Sequence, residues 1–162
     1  KLTGVSLQRD ILSMRDYGAS EILDFTDAGI VCTSKETAAS TAKTLLTAMS
    51  EMEVDLIVAE TGDGILGEYG VQSILSDPDL NQLSTAFILC ANDPVGALGG
   101  VETLQKQFGI KVDIIAGPVT DNRVGERFIE SLGLPARNAR SNPKALGDLA
   151  FDICYPTARV AS

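Results

Sequence analysis

The stretch Val54 to Gly67 reads V-D-L-I-V-A-E-T-G-D-G-I-L-G, and its reading decides the fold. After Asp55 come Leu56, Ile57, Val58 and Ala59, an uninterrupted apolar run. Such a run, followed by glycines, predicts a strand buried on both faces, as in a parallel sheet. Glu60 and Asp63 then stand at its carboxyl end, with Gly62, Gly64 and Gly67 around them. Ligands of open α/β sheets bind outside the carboxyl ends of strands, so two carboxylates there are expected to form a site. The glycines suit positive φ or close approach of backbone to a ligand.

Further segments extend the same pattern. Thr85–Cys90 and Ile110–Ala116 predict two more buried strands, each followed by a loop and a helix. Thr33-Ser34-Lys35-Glu36 fits a capping box, and Ala38, Ala42, Leu45, Met49 and Met52 follow at helical spacing. Val71, Ile74 and Leu75 suggest a short helix stopped near Pro78. A helix after the Asn92–Gly100 turn turns Val101, Leu104 and Phe108 inward and ends at Gly109. The next, about 121–132, buries Val124, Phe128, Ile129 and Leu132. Leu134–Arg137 suggests an edge strand, and Asn142-Pro143 opens a last helix through Leu146, Leu149 and Ile153.

The amino-terminal third is less patterned. Residues 1–8 suggest a short strand or loop, Arg9–Met14 and Ser20–Phe25 helical turns, and Gly29–Cys32 a short strand. Its acids, Asp10, Asp16, Glu21, Asp24 and Asp27, are expected as solvated loop and cap groups. Alternation of strand, loop and helix implies an α/β fold. The expected form is a doubly wound, mostly parallel sheet with helices on both faces, a three-layer sandwich. No linker or low-complexity tract interrupts residues 1–162, so a single α/β domain is expected, as a fragment of a longer chain.

Composition narrows the function. A chain of 162 residues can bury roughly 68–70% of its unfolded surface. Its net charge of −9 argues against nucleic-acid binding and against docking on an anionic membrane. No apolar run approaches the length of a bilayer span. Cys32, Cys90 and Cys154 form no C-x-x-C pair and are expected as small buried thiols in a reducing, cytoplasmic compartment. With no histidine, the chain cannot build a Ser-His-Asp or Cys-His centre from its own residues.

Candidate sites cluster at four loops expected to share one sheet edge: Thr3-Gly4 onward, Glu60–Gly67, Asn92–Gly100 and Gly117–Asn122. Glu60 and Asp63 are candidate metal ligands, since hard divalent cations take carboxylate oxygens. Asn92, Thr120 and Asn122 are candidate ligand contacts at helix starts, where free N–H groups suit an anion. The competing account is plain turn and capping duty, for the Asn92 loop as a whole and for Thr120 or Asp121 as the helix cap in Gly117–Asn122.

The segment Leu56-Ile57-Val58-Ala59-Glu60-Thr61-Gly62-Asp63-Gly64 resembles the Walker-B-side segment of P-loop enzymes of the dethiobiotin synthetase type. Lys1-Leu2-Thr3-Gly4 is similar to the K-P-x-x-[ST]-G segment of that family, two residues shorter and without its proline. The resemblance implies a nucleotide-dependent, ligase-like enzyme using ATP and Mg²⁺. Lys1 would face phosphate and Glu60 would help hold the metal, with Asp63 acting through water. Thr3, Gly4, Gly62 and Gly64 would line the nucleotide site. The family's Walker-A loop would lie outside this chain. Two rival readings stand beside it: a flavodoxin-like or Rossmann-like module that binds a small ligand without chemistry, and a regulatory domain whose acidic surface serves a partner protein. A homo-oligomer is compatible with all three.

Overall fold

The computed structural model describes residues 1–156. The chain divides into two compact units, residues 1–81 and 82–162.

The first unit is built on helices. Its elements are α1 (Gln8–Asp16), α2 (Ala38–Ser50), α3 (Val71–Leu75) and the greater part of α4 (Pro78–Leu83), in whose last turn the division falls. Ala38, Ala42 and Leu45 recur on one face of α2 and are buried with Leu2, Phe25, Ile74 and Leu80. The short helix α3 stops at Leu75 with Ser76 as its cap, as expected, and Pro78 then opens a further helix, α4, because proline is tolerated in a first turn whose N–H groups have no helical partner. Ser20–Phe25, expected as a helical turn, is irregular, although Phe25 is fully buried. Strand pairing among the described residues of this unit is limited to isolated bridges, Thr3 with Thr61 in parallel and Val5 with Cys32 antiparallel.

The second unit holds β1 (Ile88–Cys90), α5 (Pro94–Phe108), β2 (Ile114–Ala116), a short 3-10 helix (Pro118–Thr120), α6 (Arg123–Ser131) and α7 (Pro143–Cys154). The strands pair in parallel, Ile88 with Ile114 and Cys90 with Ala116. All three residues of β2 are buried. Ala136 adds a parallel bridge to Ile115, at the place expected for an edge strand.

This architecture corrects the expected doubly wound, three-layer sandwich. The sheet has two strands, β1 and β2, and the Leu56–Ala59 run belongs to neither. That run has no regular secondary structure and is largely open to solvent, with Leu56 43% and Val58 81% accessible and Ile57 half-buried. Apolarity marks a segment as able to be buried in a sheet; a ladder also needs a neighbouring backbone in register. Leu56–Ala59 make no backbone hydrogen bond among the described residues. Smaller corrections have similar causes. Val124, expected inside, is 78% exposed, because α6 presents Gly125 and Ile129 to the core instead. Cys32 and Cys90, expected as buried thiols, are exposed.

Candidate functional site

In the first unit the two segments that carry the resemblance lie against each other. The Leu2 N–H donates to the Glu60 carbonyl at 2.8 Å, and Thr3 bridges Thr61 in parallel. The buried Thr3 hydroxyl donates to the Gly62 carbonyl at 3.1 Å. The stem of Lys1 crosses both glycines: a Cβ on Gly4 or on Gly62 would stand 3.4 Å from its Cε. Gly62 also presses on the Thr3 carbonyl, which a Cβ would meet at 3.0 Å. Lys1 thus lies in ordinary contact distance of both positions, and the tighter constraint at Gly62 is the Thr3 backbone.

The Lys1 ammonium pairs with Asp10, a residue of α1. That hydrogen bond holds the Asp10 carboxyl below the usual carboxylate range. Burial lowers the Lys1 α-amino group below its ordinary value, while the Glu60 and Asp24 carboxylates pull it the other way. The Glu60 side chain is exposed and makes no hydrogen bond or ion pair among the described residues. Asp63 behaves differently. It takes a left-handed backbone, φ 75°, and its carboxylate accepts the Glu68 N–H at 3.3 Å, closing its own loop. Gly64 follows with φ 75°, and a Cβ on Gly67 would fall 2.3 Å from the Asp63 carbonyl oxygen. Among the described residues no group of three acid, thiol or imidazole side chains is arranged to hold a metal.

Asn92, Thr120 and Asn122 belong to the second unit. Asn92 is exposed, and the cap of α5 is its neighbour Asp93, which accepts the Gly96 N–H at 2.8 Å. Most of the expected Asn92–Gly100 turn is therefore the first turns of α5. Asn122 caps α6, accepting from Val124 and Gly125 at 3.0 and 3.1 Å. Thr120 is buried, its hydroxyl donating to the Gly117 carbonyl at 2.7 Å. Capping thus engages Asn122, and a turn engages Thr120. The four loops do not share one sheet edge, since the Glu60 loop follows no strand of the sheet.

Three further residues escaped the sequence reading. Asp10 was expected as a solvated loop acid and is the partner of Lys1. Thr33 was expected to cap α2; that end is held instead by Ser34 and Thr37, with the Ser34 N–H donating to the Thr37 hydroxyl at 2.9 Å. Asn138 is buried and organises the loop before α7, accepting from Arg140 and Ser141 at 2.9 and 2.7 Å. An Asn followed at two and three residues by chain that must turn is an Asx-turn signal that could have found it. Nothing in sequence pairs Asp10 with Lys1.

No protein-family model, curated protein or solved structure matches the chain.

Proposed function

We propose that this chain is part of a cytoplasmic, nucleotide-dependent enzyme of ligase-like type. In this reading it supplies the lysine and acid side of an ATP site whose phosphate loop comes from outside the chain. The reading is supported by one observation: the Thr3–Thr61 bridge lays Lys1-Leu2-Thr3-Gly4 against Glu60-Thr61-Gly62. Lys1, now held by Asp10, supplies a positive charge beside Gly4 and Gly62. On exchanging Asp10 for phosphate it would offset developing negative charge. Glu60 contributes one exposed carboxylate. That fits Mg²⁺, which binds through one or two carboxylates, with phosphates and water filling the rest of its sphere. Asp63 is left out of this assignment, since it closes its own loop.

The test is a thermal shift of the full-length protein containing this chain, with ATP and Mg²⁺ together and separately. The expected result is a shift that needs both, is largely lost in Glu60→Gln and Lys1→Ala, and is retained in Asp63→Asn. A Glu60→Gln protein that responds like the parent would remove the assignment. A shift with small ligands other than nucleotides would favour a binding module without chemistry.

A further inference from the structure

A cavity of about 760 Å³ lies in the first unit, bordered by α1, the segment after it, α2 and residues 53–60. Its size falls in the range of about 300–1,000 Å³ that holds small molecules. The wall is apolar: Met14 comes from α1, Leu23 from the segment after it, and Leu45, Leu46 and Met49 from α2. Methionine adapts to irregular ligands, because its side chain is flexible and its thioether polarisable. Charge on the wall is one-sided. Glu21 and Glu53 border the cavity, are exposed, and their carboxylates make no hydrogen bond or ion pair among the described residues. Lys1 is the one basic residue on the wall among the described residues. Its ammonium pairs with Asp10, and its α-amino group donates to the Leu23 carbonyl at 2.7 Å. Asp55 has a partner of its own and Glu60 is assigned above to Mg²⁺, so neither is counted.

We propose that this cavity binds an amphiphilic organic cation, an apolar body carrying one ammonium group. The body lies on the leucine and methionine wall, where burial of apolar surface supplies affinity. The ammonium stands by Glu21 and Glu53, and exposed Tyr17, which borders the same cavity, offers it a ring face. An anionic amphiphile of equal length meets the same apolar wall but two repelling carboxylates. Head-group charge therefore separates the two ligands, and burial does not. The proposal is independent of the nucleotide reading, which is tested by a shift that needs ATP and Mg²⁺; the cation needs neither.

The probes are decyltrimethylammonium, decanoate and decanol, which share one chain length and differ in head-group charge. Each is titrated, below its micelle concentration and at low salt, into protein carrying carbon-13-labelled methionine methyls. Of the three methionines, Met14 and Met49 border the cavity and Met52 does not. The expected result is saturable movement of the Met14 and Met49 signals, larger than that of Met52. Met14→Leu and Met49→Leu assign the signals. The cation should bind at least about tenfold more tightly than decanoate. Glu21→Lys combined with Glu53→Lys should reverse that preference, with an unchanged melting temperature because both positions are exposed. Two reversals of +2 each take the net charge from −9 to −5, so the variant is still acidic. A general attraction of cations to the surface would survive it, whereas a preference set at the cavity would not. No saturable movement, equal movement of all three methyls, decanoate or decanol bound as tightly as the cation, or a double variant that still prefers the cation would each overturn the proposal.

Discussion

Thr33 and Gly4 exchange two hydrogen bonds: the Gly4 N–H donates to the Thr33 hydroxyl at 2.9 Å, and the Thr33 N–H donates to the Gly4 carbonyl at 3.1 Å. The same hydroxyl donates to the Tyr69 carbonyl at 2.8 Å. One buried side chain therefore ties the amino-terminal segment to the loops before α2 and α3. Thr33→Val keeps the shape and removes both hydroxyl bonds, leaving the buried Gly4 N–H and the half-buried Tyr69 carbonyl without them. The expected loss is about 1–3 kcal/mol of stability. Thr33→Ser, which retains the hydroxyl, should cost under about 1 kcal/mol by losing one methyl group. Urea unfolding of the two variants checks the contrast.

Gly125 in α6 packs on the 3-10 helix so closely that a Cβ would stand 1.8 Å from the Val119 carbonyl oxygen. The obstacle is backbone, which cannot swing aside as a side chain tip can. Gly125→Ala should lose about 3 kcal/mol despite the better helix propensity of alanine, because overpacking outweighs a propensity gain of about 1 kcal/mol. Exposed Gly147 in α7, where a Cβ would meet nothing, is the control. Gly147→Ala should stabilise the protein or leave it unchanged in the same thermal melts.

Asn138 donates to Thr120 at 3.1 Å and to Asp121 at 2.8 Å, while its carbonyl oxygen accepts two backbone N–H groups. Asn138→Ala orphans those two N–H groups, and should cost about 2–3 kcal/mol. Asn138→Asp keeps the acceptors but loses the donor and faces Asp121 with a like charge, so it should also destabilise, more at pH 7 than at pH 4. Denaturant midpoints at the two pH values separate the variants.

The Lys1–Asp10 pair sets a pH dependence. The folded pKa of Asp10 lies below its unfolded value. Its contribution is therefore complete above the unfolded value, near pH 4, and is lost as pH falls through the folded one. Asp77, lowered by its hydrogen bond to Lys43, acts in the same sense. Lys43 is raised by Asp77 and Asp79, so its contribution is present below about pH 10 and lost as pH rises through the folded value. Asp10→Asn should flatten the acid limb of a melting-temperature profile and leave the alkaline limb alone. Salt should shrink the Lys43 effect, since that side chain is 41% exposed.

Much local structure was legible. The α2 face carried by Ala38, Ala42 and Leu45, the Gly109 stop of α5, and the Asn142 cap follow from interactions within a few residues of chain, whereas the cap of α6, expected at Thr120 or Asp121, is Asn122. Such features are fixed by backbone geometry and by nearby side chains, so sequence reports them well. Thr120 shows where that ends: its short-range bond to Gly117 is local, but its burial and its bond from Asn138 are not.

The sequence by itself determined the composition, the acidic charge, the absence of histidine, the Gly109 end of α5, the Asn142-Pro143 start of α7, and the apolar character of residues 56–59. Tertiary structure alone decided that those four residues join no strand of the sheet. It also decided that Lys1 is held by Asp10, and that Thr3 meets Thr61. The reason is physical. Hydrophobicity is a property of a segment, whereas a strand exists only when a second backbone offers its hydrogen-bonding groups at the right distance and register.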